Sequence, residues 1–371
     1  MDLSFTEEHQ QLRELVSRFL SEYSDEQAVR TQMGTDEGFD RTVWTRMAED
    51  LGLLGLMVPE DQGGTGLGVI ELAIVLEEMG KSLLCAPYFS TVVLAGNALL
   101  ASGDENVCQA LLPKMAQGEI FMALAVEEES GGQELSEIHC TAKRDGEHFR
   151  LNGVKTPVID GCLADLLIVA ARTEKGLSLF RVAGDAEGLE RLALPPLDPT
   201  RKLARIEFQD TEAQLIGEEG GAEAILQHVL EIAAVALSSE STGGAQACLD
   251  MAVLYAKERL QFGRPIGSFQ AIKHKCADML VQVESARSAA YSAAFSAVQD
   301  ADELSVTAAI AKSKASEAYY FVAAENIQVH GGIGFTWEHP AHLYFKRAKS
   351  SEILLGDPAY HRQKLAALID L

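Results

Sequence analysis

Apolar residues recur at helical spacing from the start of the chain, with Leu12, Leu15, Val16, Phe19 and Leu20 on one face. Thr6, followed by Glu7 and Glu8, supplies a capping hydroxyl and first-turn negative charge, so a helix begins there. Asp40 opens a second helix, with Val43, Met47 and Leu51 inward and Gly52 as its stop. Val58 to Gly68 (VPEDQGGTGLG) is a loop, because proline and glycine break both periods; the helical period resumes through Leu72, Leu76 and Met79 and carries the chain to about Gly118.

From about Phe121 to Gly217 the texture changes. FRLNGVKTPVIDG, DLLIVAAR, GLSLFRV and LARIEFQD are short β-branched or alternating runs bounded by Gly, Pro, Asn or Asp, the pattern of a small antiparallel barrel or sandwich. Helical periodicity returns at Ala222. The alanine-rich helix from Val281 to Phe295 and its successor to Gln328 are expected to pack as a bundle, part of whose surface forms a subunit interface. The pattern predicts an α+β chain: an N-terminal helical domain over 1–119, a central β domain over 120–219 and a C-terminal helical bundle over 220–371.

Composition narrows the partners. A 371-residue chain that is 47% apolar can bury real cores. Its net charge of −24, from 31 basic and 55 acidic residues, repels nucleic acid and anionic membranes, so any anionic ligand must be held by local cations and backbone N–H groups. The six cysteines show neither a CxxC pair nor regular spacing, which indicates reduced thiols without zinc or a disulfide framework. The acidic N-terminus is unlike a signal peptide and no window reaches the roughly 18 apolar residues of a membrane span; a cytoplasmic protein is expected. His330, His339 and His342 lack metal-ligand spacing and are expected as exposed loop histidines, and SGGQE at Ser130 to Glu134 is expected as a turn, lacking the lysine of a phosphate loop.

Two stretches carry candidate chemistry. Lys257 to Lys273 reads KERLQFGRPIGSFQAIK, in which Gly263, Pro265 and Gly267 interrupt a helical run. It is either a plain helix-turn-helix corner or a cradle for an anion and an aromatic ring, with Arg259 as a planar fork, Phe262 as a ring face and Gly263 allowing close backbone approach. Gln328 to Pro340 reads QVHGGIGFTWEHP. Its glycines either end a helix or leave the N–H groups of Gly331 and Gly332 open to a pyrophosphate beside Gln328.

RLQFGRPIGSFQ, followed by helical sequence and then QVHGGIG, closely resembles the acyl-CoA dehydrogenase signatures, and the order of helical, β and helical parts is similar to that family over essentially the whole chain. The resemblance implies FAD as cofactor and an acyl-CoA thioester as substrate, whose α-proton goes to a carboxylate while hydride leaves the β-carbon. It implies that Arg259, Gln261, Phe262, Gly263, Phe269, Gln270, Gln328, Gly331 and Gly332 contact an FAD belonging to a neighbouring subunit, with electron-transfer flavoprotein as electron acceptor.

The departures are as specific as the matches. The family's two alternative base positions correspond to Leu355 and Ala233, and its CoA-holding arginine to Ala234. Its flavin-contacting β-domain elements are replaced by VEEESGGQE at Val126 to Glu134 and by Pro157, Val158 and Ile159; Glu127, Glu128 and Glu129 are expected to repel an anionic cofactor. The chain keeps what a subunit lends to its neighbour and lacks what it uses at home. This resembles the base-lacking or small subunits of bacterial heteromeric acyl-CoA dehydrogenases, several of which act on steroid-derived thioesters, and implies a heterotetramer with an unlike subunit. The alternatives are a homo-oligomeric dehydrogenase whose base has moved to Glu240 or Glu352, a flavin oxidase or monooxygenase on the same fold, and a scaffold without flavin.

Overall fold

The computed structural model describes residues 5–129, 134–299 and 303–371. In chain order it contains α1 (Glu7–Tyr23), α2 (Glu26–Gln32), α3 (Arg41–Glu49), α4 (Val69–Lys81), a π-helical stretch (Phe89–Gly96), α5 (Asn97–Ser102), α6 (Glu105–Ala116), β1 (Met122–Ala125), β2 (Thr141–Asp145), β3 (His148–Ile159), β4 (Leu166–Thr173), β5 (Gly176–Ala183), β6 (Leu189–Leu194), β7 (Leu203–Ile216), α7 (Ala222–Glu258), β8 (Leu260–Gln261), β9 (Arg264–Pro265), α8 (Gln270–Gln299), α9 (Leu304–His330), α10 (Ala341–Ile353) and α11 (Pro358–Leu368). These form two compact units: a helical unit of Met1–Thr31, Gly68–Leu84 and Ala234–Leu371, and a barrel unit of Gln32–Leu67 and Cys85–Ala233.

In the helical unit, Thr6 caps α1 as expected: its Oγ accepts the His9 N–H, and His9 Nδ1 accepts the Thr6 N–H in return. Val16, Phe19 and Leu20 are buried, whereas Leu15, expected on the same face, is 43% exposed. Helix α4 meets α7 at backbone contact. A Cβ on Gly80 would lie 1.9 Å from the Glu240 carbonyl oxygen, and one on Gly243 would lie 1.8 Å from the Glu77 carbonyl oxygen, so each helix presents a glycine to the other's backbone. At this crossing Arg13 donates to Glu77 and Glu78, and Arg287 and Tyr291 donate to Glu77, so a neutralised polar cluster joins α1, α4 and α8. Contrary to the sequence expectation, one helix, α7, is long and apolar enough to cross a membrane, but two-thirds of its apolar window (67%) is buried inside the fold, where an apolar surface all round is what a core helix needs.

In the barrel unit, Asp40 accepts the Thr42 and Val43 N–H groups to cap α3, and Gly52 at φ 63° ends the helical run. The sheet closes on itself: β4 pairs β5, β5 pairs β7, β7 pairs β3, β3 pairs β2, and β2 returns to β4. It is a barrel rather than a sandwich, and not purely antiparallel, because β1 and β2 both run parallel to β4 along the same edge. Phe149, Leu151, Val158, Phe180, Ile206 and Phe208 fill its interior.

Candidate functional site

The cradle begins where α7 stops. Beyond Glu258 the chain does not simply turn: Leu260 pairs with Pro265 and Gln261 with Arg264 in a hairpin whose two loop residues, Phe262 and Gly263, both lie in the left-handed region (φ 54° and 76°). Glycine adopts this freely; phenylalanine does so at a cost, and its ring is held out 90% exposed. The Arg259 N–H donates to Tyr255 O and its carbonyl accepts from Ile266, both at 2.8 Å, which fixes the hairpin to the end of α7. Arg264 lies 4.2 Å from the centre of the Phe269 ring, and Phe262 meets the same ring edge-on at 6.1 Å.

The second glycine motif lies alongside. Helix α9 ends at His330, whose ring stacks on Tyr255 at 4.3 Å and meets His339 at 4.1 Å with the two rings tilted by 43°, so the end of α7 and the glycine loop are joined through aromatic contact. Since Asn326 O can only accept, the 2.9 Å bond to it places the proton of His330 on Nδ1. A Cβ added at Gly331 or Gly332 would meet nothing within 4 Å, which leaves open space at both. The histidines are not the exposed loop residues expected: His330 and His342 are buried and His339 half-buried, and burial lowers the pKa of all three. Among the described residues no group of His, Cys, Asp and Glu could hold a metal ion. Of the nine candidate cofactor residues, Arg259, Gln261, Phe262, Gly263, Gln270, Gln328, Gly331 and Gly332 are exposed and Phe269 is half-buried.

Trp337, a residue the sequence reasoning passed over, stands in this loop 62% exposed. The Lys346 ammonium lies over its ring at 5.0 Å, and the His342 ring meets it edge-on at 4.6 Å. His342 Nε2 is buried without a hydrogen-bond partner. The signal available in the sequence was an exposed-type aromatic within a glycine-rich loop, with a lysine on the following helix.

The positions matched to the family's bases hold no carboxylate. Ala233 and Ala234 are buried in α7. Leu355 occupies a left-handed turn (φ 61°) held through its carbonyls: buried Lys312 donates to Glu352 O and Gly356 O, and His361 Nε2 donates to Leu355 O at 2.8 Å. Neither cation-forming group was singled out from sequence. Burial lowers Lys312 to about 7 and His361 to about 4. Glu240 is 5% exposed, and its carboxylate accepts from the Arg347 guanidinium; Glu352 is paired with Lys349 one turn back at 2.9 Å.

In the barrel unit Val158 and Ile159 are buried, Val158 in the barrel core and Ile159 at the end of β3. The acidic run does not present the repulsive face expected of it. Glu128 accepts from buried Lys155 at 2.7 Å and from the His139 and Cys140 N–H groups; burial opposes its charge, but these partners outweigh burial and hold the carboxyl below its ordinary range. Glu129 is paired with Arg205. Ser130 to Gln133 of the SGGQE turn lie outside the described residues.

Sequence profiles of the acyl-CoA dehydrogenase N-terminal, middle and C-terminal domains match residues 6–119, 123–211 and 219–369 in that order. The chain belongs to the acyl-CoA dehydrogenase family. Members of this family are FAD-dependent oxidoreductases acting on CH–CH bonds. It is 36% identical over 355 residues to acyl-CoA dehydrogenase IpdE2 of Mycobacterium tuberculosis, covering 95% of this chain and 94% of the relative. Among solved structures it is similar to the ChsE4–ChsE5 complex of Mycobacterium tuberculosis (TM-score 0.92, 30% identity, 100% and 99% of the two chains covered). It is also similar to a variant of the Tcur3481–Tcur3483 steroid ACAD (TM-score 0.90, 32% identity, 98% of each chain covered).

Proposed function

We propose that this acyl-CoA dehydrogenase chain is one of two unlike subunits, and that its helical unit completes an FAD site whose flavin-facing half and catalytic base belong to the partner. The observation that carries this is the contrast within the chain. The candidate cofactor residues stand outward around a hairpin and a glycine loop joined side by side, whereas the positions matched to the family's bases are a left-handed leucine and two buried alanines.

The residues present fit half of the dinucleotide. Arg259 offers a fork of donors, the open N–H groups of Gly331 and Gly332 suit phosphate oxygens, and Phe262 and Phe269 offer ring faces. Pro157, Val158 and Ile159 offer the flavin ring neither a stacking aromatic nor a hydroxyl. Bound FAD would supply the acceptor for hydride from the β-carbon. This chain's part is to bind and orient it; Glu240, neutralised by Arg347, serves as a structural carboxylate here. The likeness to a steroid ACAD supports a steroid-derived acyl-CoA as substrate, and the likeness to the two-subunit ChsE4–ChsE5 complex supports a heterotetramer as the working form. Electron-transfer flavoprotein is the proposed acceptor.

The test is the absorbance spectrum and FAD content of the chain purified alone, then co-expressed with a second acyl-CoA dehydrogenase subunit. A colourless protein that becomes part of a yellow complex, with about one FAD for each pair of unlike chains, is the expected result. Tight stoichiometric FAD in the chain alone would overturn the proposal and return Glu240 to consideration as a base.

A further inference from the structure

We propose that the start of α10 is a site for a small inorganic monoanion of the size of chloride, held between Arg30 of α2 and His342. Both groups are anchored, and neither has its hydrogen-bonding capacity used up. Arg30 donates through Nε to Glu26 Oε1 at 2.7 Å, one turn back on α2, while its Nη2 is buried without a hydrogen-bond partner. His342 is 9% exposed; its ring is held edge-on against Trp337 at 4.6 Å, and its Nε2 is buried and unpartnered. A buried guanidinium N–H without an acceptor costs more than an ordinary lost hydrogen bond, because the group carries charge.

The surroundings select an anion. Arg30 lies close enough for its charge to act on both His339 and His342, which brings α2 and the start of α10 together. Burial is the main cause of the lowered pKa of each histidine; Lys346 and Arg30 lower His342 further, His330, His342 and Arg30 lower His339 further, and Glu26 alone opposes them. Two cations therefore stand against one carboxylate, and that carboxylate is engaged by Arg30 Nε. His339 Nδ1 accepts the Ala341 N–H at 3.2 Å, which puts the proton of His339 on Nε2 as a further donor. The site also lies at the positive end of a 13-residue helix, whose first side chains lean back past its N-terminus. An acceptor-only ion takes hydrogen bonds from Arg30 Nη2 and His342 Nε2 at once, whereas a water brings O–H groups that need acceptors of their own. Both nitrogens are out of solvent, so the ion is small. In a chain of net charge −24 an anion is retained only at such a local excess of positive charge. Once bound, it ties α2 to the loop that follows α9.

Sodium chloride titrated into the full chain at constant ionic strength, in exchange for sodium gluconate, whose anion is too bulky for a buried site, is expected to raise the thermal midpoint saturably by about 2 °C or more. Constant ionic strength removes the general screening that any salt gives so acidic a chain. His342→Phe keeps a ring against Trp337 but lacks Nε2, and is expected to weaken chloride binding about tenfold or more, the loss of one charge-assisted hydrogen bond. Arg30→Lys keeps the charge without the fork and Arg30→Gln keeps neither, so chloride affinity is expected to fall in that order. Crystals grown in sodium bromide are expected to show an anomalous peak within hydrogen-bond reach of Arg30 Nη2 and His342 Nε2.

A midpoint that responds alike to chloride and gluconate, or a wild-type chloride response in both His342→Phe and Arg30→Gln, would overturn the proposal. So would a crystal in which water or the Glu26 carboxylate, rather than bromide, bridges the two nitrogens. A bromide peak without a saturable chloride effect in solution marks an adventitious ion only and overturns it as well. The titration and the peak are both read on the unaltered chain, so they decide the matter even where a variant does not fold. Neither depends on the flavin or on a second subunit, so the half-site role stands or falls separately.

Discussion

Glu240 shows how little a carboxylate's position along a helix says about its work. In sequence it is an acidic residue on an otherwise apolar run, as a relocated base would be, and its partner lies 107 residues away. In the structure Arg347 and Glu240 bury each other's charge, and a buried pair broken on one side is costly because a buried charge loses its opposite partner. Arg347→Ala is therefore expected to lower unfolding free energy by about 3–5 kcal/mol in denaturant titration, with Glu240→Gln costing less because the amide still accepts a hydrogen bond. Equal, small effects of both would show that the pair contributes little. Glu128 makes the same point, since its neutralisation depends on Lys155, 27 residues away, a pairing that reading β3 as a strand does not reveal.

At the scale of elements, periodicity located helices and strands well and their contacts poorly. The glycines at 80 and 243 look unremarkable in sequence, yet each receives the backbone of the opposite helix. Gly243→Ala is expected to destabilise the protein by about 1–3 kcal/mol or more, because the obstructing atom is a backbone oxygen that no rotamer change can move. Gly332→Ala, where nothing lies within 4 Å, is the matched control and is expected to leave the thermal midpoint nearly unchanged. The hairpin after α7 was legible only as an interruption. The usual signal for two left-handed residues is Asn-Gly or Asp-Gly, and here phenylalanine takes the first place. Closure of the barrel likewise depends on β4 pairing β5 while β2 returns to β4, a property of register and twist rather than of any one run.

For the whole molecule, the order of helical, β and helical sequence was readable, whereas the groups that will govern its response to acid were not. His361 has a folded pKa of about 4 against an ordinary 6.5, because burial disfavours its cation. The unfolded chain therefore binds more protons between those values, so this stability is fully present above about pH 6.5 and is lost as pH falls through about 4. The shift corresponds to about 3 kcal/mol, and it has the same sign as the lowered Lys312 at higher pH and the lowered Glu71 and Glu128 at lower pH. Urea midpoints across this range are expected to fall on acidification, and to fall less steeply in His361→Gln; parallel profiles would assign the acid loss to the carboxylates alone.

All six cysteines are free thiols: Cys85, Cys108, Cys140 and Cys248 are buried, Cys276 is half-buried, and Cys162, in the turn between β3 and β4, is exposed. With the half-buried Cys276 replaced by serine, the one exposed thiol per chain is a natural tally mark. A dye attached there and read against flavin absorbance would count how many copies of this chain accompany each cofactor in a mixed assembly, without first separating the subunits.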